Sequence, residues 1–589
     1  MQALIDFSDP RSGQPSALRC ALDRPLLVLV AHQHSEVQDV LRAVDQHAQA
    51  GRWCVGYVRY EAAPAFDVAL QVHPADGPLA WFGVYHQAQP WPAEAQEHEP
   101  KTALAQWHTG PERSGFDADL ARIHAAIAAG DLYQINYTSP WQGTLHSTPQ
   151  ALFQALQLAQ PGGYAIYLDT GDEQVLSVSP ELFFDWQGSH ILARPMKGTA
   201  PRGRDAAQDQ AHIHALQTSP KERAENVMIV DLLRNDLSRV ALPQSVQVPR
   251  LFQVEALPTV FQMSSDVVAE TRPGTTLVDV FRALFPCGSI TGAPKVQAMR
   301  LINSLELEAR GVYCGAIGVV RPGGHATFNV AIRTVTVHGP ALRCGIGSGI
   351  THDATAEGEW QEWQAKRAFL DRASTPFELL ETLRLEQGHF HAAERHLARM
   401  ARAAQHFGFV FDLATVEAVL AAQANAHPQG LFRVRLLLKR EGVARAESFV
   451  LAANDGTRQR VQLASTPLEA AQSEFVRYKT THRSHYEAYT PTDATVFDTL
   501  LWNSRGELTE STRCNVAVKL DGEWLTPALS CGLLDGIARE EWLEQGRLRE
   551  TVIPIEALAR AEGLALFNSL RGWMPATLVL PDQAADRRG

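Results

Sequence analysis

No apolar run in this 589-residue chain is long enough to span a membrane, and no basic N-terminal segment leads into an apolar core. The expectation is a cytoplasmic protein without a membrane partner. Basic residues are not in excess: 53 Lys and Arg against 65 Asp and Glu leave a net charge of -12. A broad nucleic-acid-binding face is therefore not predicted, although a local cluster of cations can still hold a small anion. The seven cysteines, at 20, 54, 287, 314, 344, 514 and 531, contain no C-x-x-C pair, so zinc and dithiol chemistry are not predicted. None of them sits in the G-x-C-x-G elbow of a glutaminase. The histidine pairs 212/214, 389/391 and 482/485 lack cysteine partners and an H-E-x-x-H arrangement. Neither half carries G-x-x-x-x-G-K-[ST] or a strand-linked G-x-G-x-x-G, which disfavours nucleotide chemistry.

What is present has the balance of a globular enzyme, 45% hydrophobic and 20% charged, in a chain too long for one core. Residues 1–112 alternate short apolar runs with helical patterns and include a Pro-, Gln- and Glu-rich stretch, Gln87 to Glu99, that reads as a linker or surface loop. Over 113–370, strands such as Tyr164 to Leu168, Ala316 to Val320 and Thr327 to Val337 come in runs with long amphipathic helices. That pattern predicts an α+β fold rather than a doubly wound sheet. A polar segment at 371–376, ending in Pro376, marks the boundary, and 377–589 opens a second domain with a strand-like run from Phe377.

In Arg194-Pro-Met-Lys197-Gly-Thr199, a lysine stands between an apolar residue and a glycine. Burial disfavours the ammonium form and frees the amine as a nucleophile; the plain alternative is a strand-end lysine reaching solvent. Downstream, a helical pattern over Lys221 to Asp236 sets Glu222 and Glu225 three residues apart on one face. A second, over Glu357 to Lys366, does the same for Glu359 and Glu362. Two such helices can hold one hard cation such as magnesium, which needs one or two carboxylates and keeps water and substrate oxygens; separately, each reads as a solvated face. Between them lie two small-residue loops, Gly288 to Lys295 and Gly345 to Gly349, whose amides can approach an anion. Arg333 interrupts an apolar strand, where it can grip a carboxylate or form an ion pair.

The ordered set G-D-L-Y-Q-I-N (130–136), S-P-E-L-F (179–183), P-M-K-G-T, A-E-N-V-M-I-V-D-L-L-R-N-D, G-S-I-T-G-A-P-K and G-I-G-S-G-I resembles the chorismate-utilising enzymes over 113–370. The resemblance implies a magnesium-dependent αββα sandwich acting on chorismate. Glu225 and Glu362 are then expected to hold magnesium, while Arg333, Lys366, Tyr313 and the amides near Thr291 and Gly349 bind substrate. Members that form anthranilate carry alanine at position 197; lysine there implies attack on ring carbon 2, loss of the 4-hydroxyl and addition of ammonia at carbon 4. Glu222, one turn from Glu225, is expected to transfer a proton to the leaving hydroxyl. The family's V-x-H-[LM]-x-S segment reads Val260-Phe-Gln262-Met-Ser-Ser265, so a histidine base is not expected there. Ammonia is expected from a separate glutamine amidotransferase subunit.

In the second half the order is Arg399 on an amphipathic helix, Lys479 in R-Y-K-T-T-H-R, Glu510 before Asn515, and a helix start at Gly536-Ile537-Ala538. This resembles the fold type IV pyridoxal-phosphate enzymes. It implies Lys479 as the residue carrying pyridoxal 5'-phosphate, Glu510 on the pyridine nitrogen, and Arg399 with the amides of Ile537 and Ala538 on the phosphate. Asn515 is expected to support the strand of Glu510, and a homodimer through this domain is compatible with the resemblance. A lyase here would consume the aminated product of the first half, releasing pyruvate and para-aminobenzoate. The alternatives are an anthranilate-forming module joined to an aminotransferase, and a catalytically silent scaffold for an amidotransferase.

Overall fold

The computed structural model describes residues 2–92, 103–202, 206–256 and 260–579. The chain divides into two compact units, Met1–Pro376 and Phe377–Gly589. Of the linker-like stretch, Gln89–Pro90 pairs with the strand Leu18–Asp23, while 93–99 lie outside the described residues.

The first unit is built on two ten-stranded sheets. Strand alternation shows how they pack. Ala3, Ile5 and Phe7 of one sheet, with Val55 and Tyr57 of the other, fill a core between the sheets; Leu4 points to the opposite face of its sheet, and Cys54 and Val58 to the opposite face of theirs. The outer face of the first sheet is covered by the helices Arg113–Ala128, Pro149–Ala159 and Ala356–Ser374. That of the second is covered by His34–Gln49, Pro220–Ser238 and Leu277–Leu284. Strands from the N-terminal ninety residues lie inside both sheets.

Two expectations from sequence change. The apolar run Thr327 to Val337 is two strands, Ala326–Val330 in the second sheet and Thr334–His338 in the first, because Arg333 takes a left-handed backbone (φ 50°) that no ladder continues through. The glycine-rich Gly345 to Gly349 is not a loop. It belongs to the strand Ala341–Ile350, paired with Gln134–Leu145 from Ala341↔Thr144 to Ile350↔Ile135. Its glycines serve close approach: a Cβ on Gly345 would stand 2.2 Å from the Tyr313 ring.

Both acidic helices are firmly started. Ser219 caps Pro220–Ser238 by accepting the Glu222 amide, with proline in the first turn, and Thr355 caps Ala356–Ser374 through the Gly358 amide.

The second unit has a four-stranded antiparallel sheet that includes Leu379–Glu386, packed on the helices Ala393–Phe407 and Leu413–Ala426. A separate eight-stranded mixed sheet carries the strands Leu508–Ser511 and Asn515–Leu520.

Candidate active sites

Lys197 and Gly198 sit in a β-bulge. The edge strand Met196–Pro201 pairs with Val260–Glu270 at Met196↔Ser264 and again at Thr199↔Gln262, so one extra residue is accommodated between them, and Gly198 takes φ 87°. A bulge re-aims a side chain. Here it sends the Lys197 amine across to the other sheet, where Nζ lies 2.7 Å from the position a Cβ on Gly349 would occupy. Gln134 Nε2 is 2.5 Å from the same point, and both polar ends of this buried glutamine lack a hydrogen-bond partner. Gln262 braces the bulge with both ends of its amide: Nε2 donates to the Gly198 carbonyl and Oε1 accepts from the Thr199 hydroxyl, each at 2.9 Å.

Carboxyls gather around this amine. Glu181, from the S-P-E-L-F segment, is 3% exposed. Burial pushes it up to about 7, although Ser289 and the Lys197 charge pull it down, and its Oε1 has no hydrogen-bond partner. Glu222 Oε2 lies 2.9 Å from where a Cβ on Gly198 would stand. Burial raises both Glu222 and Glu225. Enclosure works the same way on Glu362, but Lys366, 2.6 Å away, holds that carboxyl below its ordinary value. Glu359 has a different task. It accepts the Ser348 hydroxyl at 2.5 Å, and Trp363 Nε1 donates to the same hydroxyl at 2.9 Å, pinning the helix to the strand Ala341–Ile350.

The residues expected to bind substrate are held by the fold. Arg333 donates to the Lys366 carbonyl and stacks over Phe369 at 5.0 Å; burial lowers it to about 10. Lys366 Nζ also donates to the Gly347 carbonyl at 2.9 Å. Thr291 is fully buried; its hydroxyl donates to the Cys287 carbonyl at 3.0 Å and its carbonyl accepts the Asn136 amide at 2.8 Å. Arg310, paired with Glu306, ties the segment at Ile290 to the strand Gln134–Leu145 by donating to the Ile290 and Asn136 carbonyls.

Glu225 and Glu362 supply only hard oxygen donors, which suits magnesium. Among the described residues no three His, Cys, Asp or Glu side chains form a metal cage, so a cation here would draw its other ligands from substrate and water.

In the second unit the Lys479 carbonyl accepts the Leu380 amide at 3.0 Å, and Thr480 bridges to Leu379. Burial, then the Arg483 and Arg399 charges, lowers the Lys479 amine to about 8. Glu510 is buried and raised to about 7 by that burial, though the Tyr486 hydroxyl and the Leu534 amide donate to it. Arg399 is held by Glu381, which accepts from its Nε (2.8 Å) and Nη2 (2.7 Å) and from His396 Nδ1 (2.7 Å). Arg399 Nη1 donates to the Asp535 carbonyl at 2.9 Å, which brings the guanidinium to the start of the helix Ile537–Glu544. A buried amine, a buried carboxyl, and an arginine beside a helix N-terminus fit pyridoxal phosphate in charge and donor type. Asn515 departs from expectation: its Nδ2 donates to the Leu534 carbonyl, so it supports the loop that feeds an amide to Glu510 rather than the strand itself.

Glu181, Gln134, Glu381 and Tyr486 were not singled out from sequence. The first two lie inside motifs quoted as fingerprints; the other two had no local signal.

Residues 16–372 match the chorismate binding enzyme family, and residues 378–579 match the class IV aminotransferases, a fold that implies pyridoxal phosphate. Aminodeoxychorismate synthase component 1 of Salmonella typhimurium is 37% identical over 293 residues, covering 50% of this chain and 63% of that protein. Anthranilate synthase component 1 of Aquifex aeolicus is 35% identical over 277 residues, covering 47% and 56%. In fold, anthranilate synthase component I from Streptococcus pneumoniae superposes with a TM-score of 0.53 at 23% identity, covering 63% of this chain and 92% of that one. The chain spans about six tenths of the length of the aminodeoxychorismate synthase components it matches.

Proposed function

The chain belongs to the chorismate binding enzymes through residues 16–372, and from that premise we propose that it makes para-aminobenzoate from chorismate in two steps, one in each unit. The observation that carries this reading is the Lys197 amine against Gly349, with Glu181 buried near it and pushed up to about 7 by that burial.

In the first step Lys197 attacks ring carbon 2 and the 4-hydroxyl departs. Glu181, which burial raises to about 7, rather than Glu222, gives its proton to the leaving oxygen, so that water leaves. Glu222, beside Gly198, takes the proton the alkylated amine sheds. Glu222 then returns its proton to the Lys197 nitrogen, ammonia bonds to carbon 4, the double bonds shift, and the bond from carbon 2 to Lys197 breaks with its electron pair returning to nitrogen as the free amine, while the new ammonium at carbon 4 gives its extra proton to the now ionised Glu181. The covalent detour splits one displacement into two. Glu225 and Glu362 would hold magnesium, which would neutralise a substrate carboxylate. Arg333, Lys366, Tyr313 and the backbone at Thr291 and Gly349 line the ring and its carboxylates. Ammonia comes from a separate glutamine amidotransferase subunit.

In the second step bound pyridoxal phosphate would act as the electron sink for ring carbon 4. Lys479 takes the proton from that carbon and delivers it to the departing enolpyruvyl group, which leaves as pyruvate while the ring aromatises. Arg399 and the amides of Ile537 and Ala538 would hold its phosphate, and Glu510 would face its pyridine nitrogen and favour the protonated ring. Among the described residues no helix is long and apolar enough to cross a membrane, and this reading places both steps in the cytoplasm, with the second unit paired as a homodimer.

The test is the purified chain with chorismate, magnesium, pyridoxal phosphate and ammonium, followed by chromatography. Para-aminobenzoate as main product, lost when magnesium is omitted, supports the proposal. Anthranilate as main product overturns it in favour of an anthranilate-forming module.

A further inference from the structure

Glu510 receives its strongest contact from a residue outside the expected cofactor set. The Tyr486 hydroxyl donates to Oε1 at 2.7 Å, while the Leu534 amide donates to Oε2 at 3.2 Å. Tyr486 is 7% exposed, and burial, reinforced by the Glu510 charge, pushes its phenol well above the ordinary range, so it remains a donor. The Arg483 guanidinium lies over its ring at 4.6 Å from the centroid, and the His485 ring lies against it at 4.0 Å. Arg483 is fixed in turn by donating to the Thr512 carbonyl. A cation over the ring face draws electron density from the phenol and strengthens it as a donor. The other charged groups near this pair are Lys479 and Asp498. Asp498 is occupied by the Ser511 and Thr512 hydroxyls and the Arg513 amide.

We propose that Tyr486 is a positioning residue of the second reaction: its hydrogen bond keeps Glu510 anionic and so holds the proton on the pyridine nitrogen of the bound cofactor. The inference rests on reading the second unit as a pyridoxal-phosphate site. A carboxyl and a pyridine nitrogen facing each other share one proton, either as neutral acid and neutral ring or as carboxylate and pyridinium. A donor to the carboxylate stabilises the ionic form, because a hydrogen bond to an ion is stronger than one to a neutral oxygen. Burial of Glu510 pushes the other way. Tyr486 is the group that tips this balance, and a protonated ring is the better electron sink.

The experiment uses the full chain loaded with cofactor labelled with nitrogen-15 in the ring, read by NMR. In Tyr486→Phe the resonance should move toward neutral pyridine, reflecting about a tenfold change in the proton-sharing equilibrium. The kcat for aminodeoxychorismate should fall by a similar factor with KM little changed. Replacing Tyr486 by 3,5-difluorotyrosine keeps the shape and sharpens the donor; it should move the resonance the opposite way. Glu510→Gln is the control and should lose the protonated signal. A resonance unmoved in Tyr486→Phe, while Glu510→Gln shifts it, overturns the inference alone. A resonance unmoved in both variants overturns the assignment of Glu510 and the inference with it.

Discussion

Lys197 and Lys479 are both proposed as reacting amines, yet the charge around them differs: carboxyls face Lys197, whereas arginines as well as Glu381 and Glu510 face Lys479. Glu181, Glu222, Glu225 and Glu362 all feel the charge of Lys197. Arg483 and Arg399 stand near Lys479, and with burial they lower it to about 8. The second site thus has a poised amine built into the fold. The first gathers carboxyls instead, and the cations that face Glu225 and Glu362 are Lys197, Lys221 and Lys366. Desolvation and like charge favour a free amine, whereas neighbouring carboxylates favour the charged form.

The sharpest way to break the comparison is to remove each amine alone. Lys197→Ala should lower chorismate consumption on the order of 10³-fold or more while leaving para-aminobenzoate formation from supplied aminodeoxychorismate intact. Lys479→Ala should do the reverse and accumulate aminodeoxychorismate. Chromatography of both variants on both substrates checks this, and cross-over of the two defects would dissolve the two-site picture.

Glu181→Gln asks whether the acidic surroundings act as an acid. With its carboxyl at about 7, the proton needed for departure of the hydroxyl is lost as pH rises through that value. The wild-type rate should therefore fall on the alkaline side, and the variant should lack this limb while running about 10²- to 10⁴-fold slower. Stability has its own sign. A carboxyl raised above its unfolded value of 4.5 favours the fold fully below 4.5, and loses that contribution as pH rises through about 7. The variant's melting temperature relative to wild type should accordingly improve as pH rises. A pH-rate profile identical in shape to wild type would remove Glu181 from the acid role.

The smallest expected effect belongs to Gln262→Ala, which removes two hydrogen bonds from the bulge. Melting should show a loss of about 1 to 2 kcal/mol, and the first step should slow several-fold with the second untouched. An unaffected first step would mean that the bulge holds Lys197 without this brace.

Much of both sites was legible because the motifs are local. Lys197, Glu225, Glu362, Lys479 and Glu510 announce themselves by residue type inside short ordered segments, and helical spacing placed the acidic pairs correctly on Pro220–Ser238 and Ala356–Ser374. Spacing put Lys366 four residues beyond Glu362, and that pair forms, but nothing local showed that Ser348, on a strand, takes Glu359. The glycines of 345–349 looked like a loop because sequence does not reveal that Tyr313 and Lys197 need their missing side chains. Arg333 looked like one strand's interruption, whereas its left-handed backbone is the crossing between two sheets.

By itself the sequence determined the residue types on which the proposed chemistry rests: two lysines, the nearby carboxylates, and their order, all properties of residue type within a few positions of one another. Only the tertiary structure decided which groups meet. A bulge on the edge of one sheet turns Lys197 toward a glycine on the other. Burial, which no local pattern reports, raises Glu181 and Glu510 to about 7. A carboxyl's proton depends on the water and charge around it, and those are set by strands and helices far apart in the chain.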